Sequence, residues 1–484
     1  MHCNTLNCLI PAPANIAATA GGFPLRRADT LAVSPEAAKA AGKLRAAFAR
    51  LRTGLADAAD AAVTLQTSPA LPDEAWKLEI TPDRIVLSAS EARGFSYGVG
   101  ALIQMLMIAA REDFASAHLD CGTVEDAPRF AWRGFMLDSA RRFQSTDTVK
   151  QVIRMLAEFR INSFHWHLTD NDSWRFASKH LPDFAGRGKR DDGLYSRKDL
   201  CEVAELARSL GVRVVPEIDV PGHSESLLAA LPELACDARD PGREFCLGNP
   251  DGRRLIRRLF DELMEIFPDS PYIHLGGDEA ETARWEACPK CRRAREEGNF
   301  ASFRELENDF MADLVRYVAA KGRTPMLWGT CSGQKYPPEA VMQAWLDIRE
   351  PLRIAQDGNK VVYSIHTSLY FDYPAHQGEP LENWMFELSE RGVYMTDPCV
   401  IWEEQLKDTI LGPEACLWTE TVPEWRVIPK ILPRLPAYAE CAWSRPERKD
   451  YYDFVRRRDQ LEAAGYFELL RELSGAKSVG DAVS

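Results

Sequence analysis

The sequence predicts a (β/α)8 TIM barrel preceded by a small α+β domain. From about Pro128 onward, eight short strand-like runs alternate with helix-patterned segments. Several of these runs are almost wholly apolar, as parallel strands covered on both faces must be. The residues before them follow a different rhythm of helix, paired strands and helix. Alternating strands and helices of this number close into a barrel.

In chain order, residues 1–125 form the expected N-terminal α+β domain. It holds an Ala-rich amphipathic helix, "SPEAAKAAGKLRAAFARL", then "WKLEIT" and "RIVLSAS" as paired strands, then the helix "GFSYGVGALIQMLMIAA". Residues 126–484 form the expected barrel domain. Its strands are "RGFMLD" from Arg133, "SFHWHL" from Ser163, "VRVVPEI" from Val212 and "YIHLGG" from Tyr272. "PMLWG" from Pro325, "VMQAW" from Val341, "VVYSIH" from Val361 and "EACLW" from Glu414 complete the set. One intervening helix is marked by Phe303, Leu306, Phe310, Leu314 and Tyr317 at helical spacing. Another opens at Ser196 with Asp199 three residues on, a start like a capping box. "YYDFVRRRDQLEAAGYF" is read as a last helix packed on the barrel.

A net charge of −13 argues against a nucleic-acid partner, whose phosphates require a basic surface. No apolar run approaches the ~20 residues of a membrane helix. The opening "MHCNTLNCLIPAPANIAATAGG" lacks the basic start and apolar centre of a secretory signal. The expected location is the cytoplasm, or the periplasm or exterior if a leader has been removed. The twelve cysteines show no framework spacing. "CPKC", Cys288 to Cys291, is half of a zinc-site pattern with no clear second half nearby, and is read as non-metal. Cys236 and Cys246 flank one loop and are compatible with a disulfide.

Active sites of such barrels lie at the carboxyl ends of the strands. The first strand is followed by Arg141, the second by His165, His167 and Asp170, the third by Glu217, Asp219 and His223. The fourth ends in the adjacent acids Asp278 and Glu279. The remaining four end in Trp328, in Trp345 with Asp347, in Tyr370 with Asp372, and in Trp418 with Glu420. Tryptophans beside carboxylates and an arginine suit a sugar, whose ring stacks while its hydroxyls are bound. Each residue taken singly has a plainer reading. A Trp ending a strand is more often core, His165 and His167 can be satisfied interior histidines, and adjacent acids can cap a helix. Convergence of all eight strand ends favours the sugar site.

"HLGGDEA", "FHWHLTDND", "PEIDVPGHSES", "RGFMLDSARRF" and "LWTE" resemble the family 20 glycoside hydrolases, the β-N-acetylhexosaminidases, and the resemblance covers nearly the whole chain. Arg142 and Asn171 depart from the family's pattern, which often has His and Asp there. The resemblance implies hydrolysis of terminal non-reducing β-linked N-acetylhexosamine, GlcNAc or GalNAc, from an oligosaccharide or glycoconjugate. It implies a retaining, substrate-assisted mechanism, one of the exceptions to the usual two-carboxylate scheme. Glu279 is then the general acid and base, and Asp278 orients the 2-acetamido group. Tyr370 binds its carbonyl, and Trp328, Trp345 and Trp418 enclose it. Arg141, Asp372 and Glu420 hold hydroxyls, while Asp170 and His223 support Glu279. No cofactor or metal is implied, no membrane is involved, and a monomer or homodimer is expected.

Overall fold

The computed structural model describes residues 4–25, 28–51, 54–111, 117–181, 193–329, 335–402 and 404–474. Residues 1–3, part of the opening stretch read for a leader, lie outside them. Two compact units are present. The first contains residues up to 131 together with 154–161 and those from 434 on; the second contains 132–153 and 162–433.

The first unit is built on seven strands: β1 (Asn15–Pro24), β2 (Ala28–Val33), β3 (Gly54–Asp57), β4 (Val63–Thr67), β5 (Trp76–Ile80), β6 (Ile85–Ala89) and β7 (His118–Asp126). Their order in the sheet is β1-β7-β5-β6-β4-β2-β3. Along β5, Trp76, Leu78 and Ile80 are fully buried and the residues between them are not, the two-residue period of a sheet with one core face. The helix Ala92–Ala109, whose N-cap Glu91 accepts from the Gly94 and Arg93 amides, buries most of its length.

The closing helices require a correction. Tyr451–Ala463 and Tyr466–Ser474 belong to the first unit rather than to the barrel. Phe454 and Leu461 are buried, and Arg457 donates to the Leu9 carbonyl and to Glu440 within the same unit. The Gln104 amide donates to Tyr466 Oη at 3.3 Å. These buried polar partners, far away in sequence, decide where the helices dock.

The second unit is the expected barrel. Its strands are β8 (Gly134–Asp138), β9 (Ser163–His167), β10 (Arg213–Glu217), β11 (Tyr272–His274), β12 (Thr324–Trp328), β13 (Val341–Ala344), β14 (Lys360–Tyr363) and β15 (Ile410–Leu417). Each pairs in parallel with the next, and β15 closes on β8. Each overlaps one of the eight runs read from the sequence, although β15 begins at Ile410, before the run expected from Glu414. Trp132, Val215, Met326, Val341 and Val362 form one apolar cluster. The helix Arg197–Ser209 has the predicted capping box, with Ser196 and Asp199 each accepting from the other's amide. Phe303–Ala320 is capped by Ser302, which accepts from the Glu305 amide. Among the described residues, no helix is long and apolar enough to cross a membrane.

Candidate active site

A cavity of about 350 Å³ opens beyond the carboxyl ends of the barrel strands. Ten of the eleven residues expected at the site line it: Arg141, Asp170, His223, Asp278, Glu279, Trp345, Tyr370, Asp372, Trp418 and Glu420. Trp328, expected on the wall, lies behind it. Its ring is buried 5.6 Å from that of Trp418, and its indole N–H donates to Glu217 at 2.7 Å.

Local backbone geometry separates the two adjacent acids. Gly276 and Gly277 follow β11 with φ of +72° and +104°, values that glycine adopts without steric cost. A Cβ on Gly276 would stand 1.8 Å from Asp219 Oδ1, and the Gly277 N–H donates to the same oxygen at 3.2 Å. Glu279 itself has φ of +52°, an uncommon conformation for a side-chain-bearing residue. The result is an inward Asp278, with 13% of its side chain exposed, and an outward Glu279, with 48% exposed. The next helix begins at Ala283 with Thr282 as its N-cap, so the acids are not its cap.

Burial first, then the neighbouring Glu279, raises the Asp278 carboxyl to about 6, although His223 works against the rise. Burial and then Asp278 also hold Asp219 well above the usual carboxylate range. Asp278 Oδ1 is buried and, among the described residues, has no hydrogen-bond partner.

Behind the acids runs a chain of alternating carboxylates and histidines. His165 lies 2.8 Å from Glu414 and 3.1 Å from Glu217. His167 contacts Glu217 on one side and Asp170, at 3.0 Å, on the other. His223 Nδ1 is 3.2 Å from Asp170, while its Nε2 is 3.7 Å from Glu279 and 3.9 Å from Asp278. Burial opposes charge on these rings, but the carboxylates outweigh it. Glu217 and Glu414 bring His165 to about 9, and Asp170 and Asp219 bring His223 to about 10. His165 and His167 are wholly buried and paired, which matches the plainer of their two readings. His223 is the member that reaches the cavity.

Arg141 also lines the cavity. Its guanidinium lies 2.9 Å from Asp170 and 3.7 Å from Glu420, and it stacks 4.7 Å above the Trp418 ring. Asp138 at the end of β8 fixes this turn by accepting from the Ala140, Arg141 and Thr419 amides. The Trp345 indole donates to the Gly329 carbonyl at 3.0 Å. At the two departures, Arg142 donates to the Glu420 carbonyl, and Asn171 accepts from the Glu225 amide. Both thus brace loops of the rim.

The cavity is also lined by Asp219, His366, Tyr373 and Trp384, none of which was assigned a role from the sequence. Asp219 was read from the sequence as a residue of the third strand end but was given no part in the reaction. His366 lies 2.8 Å from the Tyr373 hydroxyl, and together they flank Tyr370 and Asp372. Trp384, 56% exposed, sits far along a loop where no strand end marks it.

The profile described as "Glycosyl hydrolase family 20, catalytic domain" matches residues 130–446, and that of "Glycosyl hydrolase family 20, domain 2" matches residues 7–127. The chain belongs to glycosyl hydrolase family 20. It is 31% identical to a β-hexosaminidase of Akkermansia muciniphila, over 81% of this chain and 84% of that one. It is 30% identical to a β-hexosaminidase of Vibrio furnissii, over 89% and 76% respectively. Among solved structures it resembles an exo-β-N-acetylglucosaminidase of Vibrio harveyi in complex with N-acetylglucosamine. That match has a TM-score of 0.86 and 26% identity, covering 95% of this chain and 78% of the other. It also resembles a mutant Streptomyces plicatus β-hexosaminidase in complex with product, with a TM-score of 0.81, 27% identity, and 95% and 96% coverage. The family 20 protein described here is a glycoside hydrolase of the β-hexosaminidase type, and its barrel is the family's catalytic domain.

Proposed function

We propose that this enzyme removes terminal non-reducing β-linked N-acetylhexosamine by a retaining mechanism in which the substrate's own 2-acetamido group is the nucleophile. The observation that carries the reading is Asp278 Oδ1, a buried carboxylate oxygen without a donor among the described residues. Leaving such an acceptor unpaired is costly, and an acetamido N–H entering the cavity would satisfy it. A conventional retaining enzyme instead needs its two carboxylates about 5 Å apart on either side of the scissile bond. Adjacent residues on one strand end do not straddle a sugar in that way.

In the first step, the acetamido carbonyl oxygen bonds to the anomeric carbon as the bond to the leaving oxygen breaks. Glu279, exposed toward the mouth, gives its proton to that leaving oxygen. Asp278 accepts from the acetamido N–H and offsets the positive charge growing on the oxazolinium. In the second step, the Glu279 carboxylate takes a proton from water, whose oxygen bonds to the anomeric carbon as the oxazolinium ring opens. The configuration is retained. A neighbouring nucleophile held in place has a high effective molarity. Tyr370 is assigned to the acetamido carbonyl, and Trp345 and Trp418, with Trp328 behind them, to the pocket around the N-acetyl group. Arg141, Asp372 and Glu420 are assigned to the sugar hydroxyls. The substrate is an oligosaccharide or glycoconjugate ending in GlcNAc or GalNAc.

The test is a pair of aryl glycosides. Cleavage of 4-nitrophenyl β-N-acetylglucosaminide without cleavage of the plain β-glucoside is expected, together with competitive inhibition by a thiazoline mimic of the intermediate. Comparable rates on the two glycosides would exclude the mechanism.

A further inference from the structure

Among the described residues, fold and catalysis leave one cluster of cysteines unused. Cys236 and Cys246 bound the loop that follows β10, while Cys288 and Cys291 form the "CPKC" stretch beyond the acids that follow β11. The fold brings all four sulfurs within 4.8 Å of one another. Cys246 Sγ lies 3.6 Å from Cys291 Sγ and 3.8 Å from Cys288 Sγ, and Cys236 Sγ lies 3.8 Å from Cys291 Sγ. The missing second half of the zinc-site pattern is therefore supplied by the preceding barrel loop. No sequence-local spacing revealed it.

We infer that Cys236, Cys246, Cys288 and Cys291 form a tetrathiolate site for one zinc ion that clamps the β10 loop to the loop carrying Asp278 and Glu279. Zn–S bonds of ~2.3 Å in a tetrahedron place neighbouring sulfurs ~3.8 Å apart, and the three distances above match that edge. A disulfide would select one partner and draw it to ~2.0 Å. Here Cys246 is almost equally distant from Cys288 and Cys291, and Cys291 from Cys236 and Cys246. All four cysteines are free, three of them are buried, and Cys236 is partly so.

The surroundings are those of a metal–thiolate centre. The Gly248 N–H donates to Cys291 Sγ at 3.4 Å. Cys288 is the N-cap of the helix Pro289–Glu297, with Cys291 in its first turn, where the helix dipole favours thiolate. Four sulfur ligands leave no open position, which marks a structural site rather than a catalytic one. All-sulfur tetrahedral ligation also suits iron, so the identity of the metal is part of the test.

The two loops are already pressed together at this place. A Cβ on Gly248 would stand 2.3 Å from the Lys290 carbonyl, so the two backbones are in direct contact. The Trp285 indole donates to the Phe245 carbonyl at 2.9 Å, and Arg243 donates to Glu281 at 2.9 Å. A zinc ion would bind these contacts into one unit and hold the segment that leaves the catalytic pair.

The test is the zinc content of the full chain, purified without chelator and measured by mass spectrometry of the elements. We expect one zinc per chain, released by a mercurial reagent and detected with a chromogenic chelator. In Cys288→Ser and Cys246→Ser the content should fall to about a tenth or less, with a lower Tm. Cys201→Ser, an exposed cysteine outside the cluster, should keep its zinc. Should the cluster variants fail to fold, alkylation of the unmodified chain after denaturation, without reductant, decides the question. Four alkylated cysteines at these positions together with one zinc support the site. Two or more protected as disulfides, free thiols without zinc, or iron with visible absorption would each overturn it.

Discussion

His223 Nδ1 lies 3.2 Å from the Asp170 carboxylate. That contact turns the other ring nitrogen toward both acids of the strand end. Asp170 is in turn held by Arg141 and His167, so the carboxylate that orients His223 is itself fixed. The ring keeps its proton to about pH 10, because Asp170 and Asp219 outweigh the cost of burial. It therefore presents a positive charge to Asp278 and Glu279 throughout the neutral range.

That charge sets the first prediction. Asp278, raised to about 6 by burial and by Glu279, must be ionised to meet a developing cation. The pH profile of kcat/KM should fall on its acid side near 6. Replacing His223 by Gln removes the cation that holds Asp278 down, and carboxylates rise when a neighbouring cation is lost. The acid limb should then move to higher pH. A limb that stays in place would show that His223 does not tune the pair.

Stability should fall on the alkaline side. In the unfolded chain a histidine titrates near ~6.5, whereas His165 and His223 titrate at about 9 and about 10 in the fold. Their raised values contribute stability that is fully present below about pH 6.5 and is lost as pH rises through 9 and 10. The lowered Asp170 and Glu217 act in the opposite sense, losing their contribution as the solution becomes acid. Thermal melts across pH 6–10 should show a declining Tm. A level profile over that range would remove the histidines from the balance.

Gly276→Ala and Gly358→Ala separate backbone cost from collision. Both glycines have positive φ, +72° and +98°, a conformation costing other residues roughly 1–2 kcal/mol. Only at Gly276 would the new Cβ meet Asp219 Oδ1, at 1.8 Å; at Gly358 nothing lies within 4 Å. Gly358→Ala should lower stability modestly with kcat unchanged. Gly276→Ala should displace Asp219 and lose activity as well. Equal effects on kcat would argue that Asp219 does not support the site.

The barrel was legible because strands such as β8 and β9, buried along their whole length, are short runs rich in large apolar side chains that alternate with helix-patterned segments. The site was legible because Arg141, Asp278, Trp345, Tyr370 and Trp418 stand at strand ends, where the fold class itself directs attention. Trp384 was not, as a loop folding back over a cavity leaves no periodic mark. Arg457 and Tyr466, which seat the closing helices, find their partners only through the tertiary fold. The four cysteines were separated for the same reason. A half-pattern at Cys288 and Cys291 is completed by Cys236 and Cys246 only after two barrel loops meet.

The adjacent acids themselves are separated by the leaving group. Glu279→Gln removes a proton donor, a contribution of typically about 10²–10⁴-fold. Its loss should shrink on a 2,4-dinitrophenyl glycoside, whose leaving oxygen needs little protonation. Asp278→Asn keeps the shape of the side chain but removes the charge facing the oxazolinium. Electrostatic stabilisation of that kind, in a site shielded from water, is worth on the order of 3–4 kcal/mol. The charge on the acetamido group develops whatever departs, so a better leaving group should not restore the rate. The same variant should lose the acid limb near pH 6, because the group that titrates there is gone. Both variants are to be compared on the dinitrophenyl substrate and on a natural disaccharide. If the better leaving group rescues Asp278→Asn and not Glu279→Gln, the two roles are reversed.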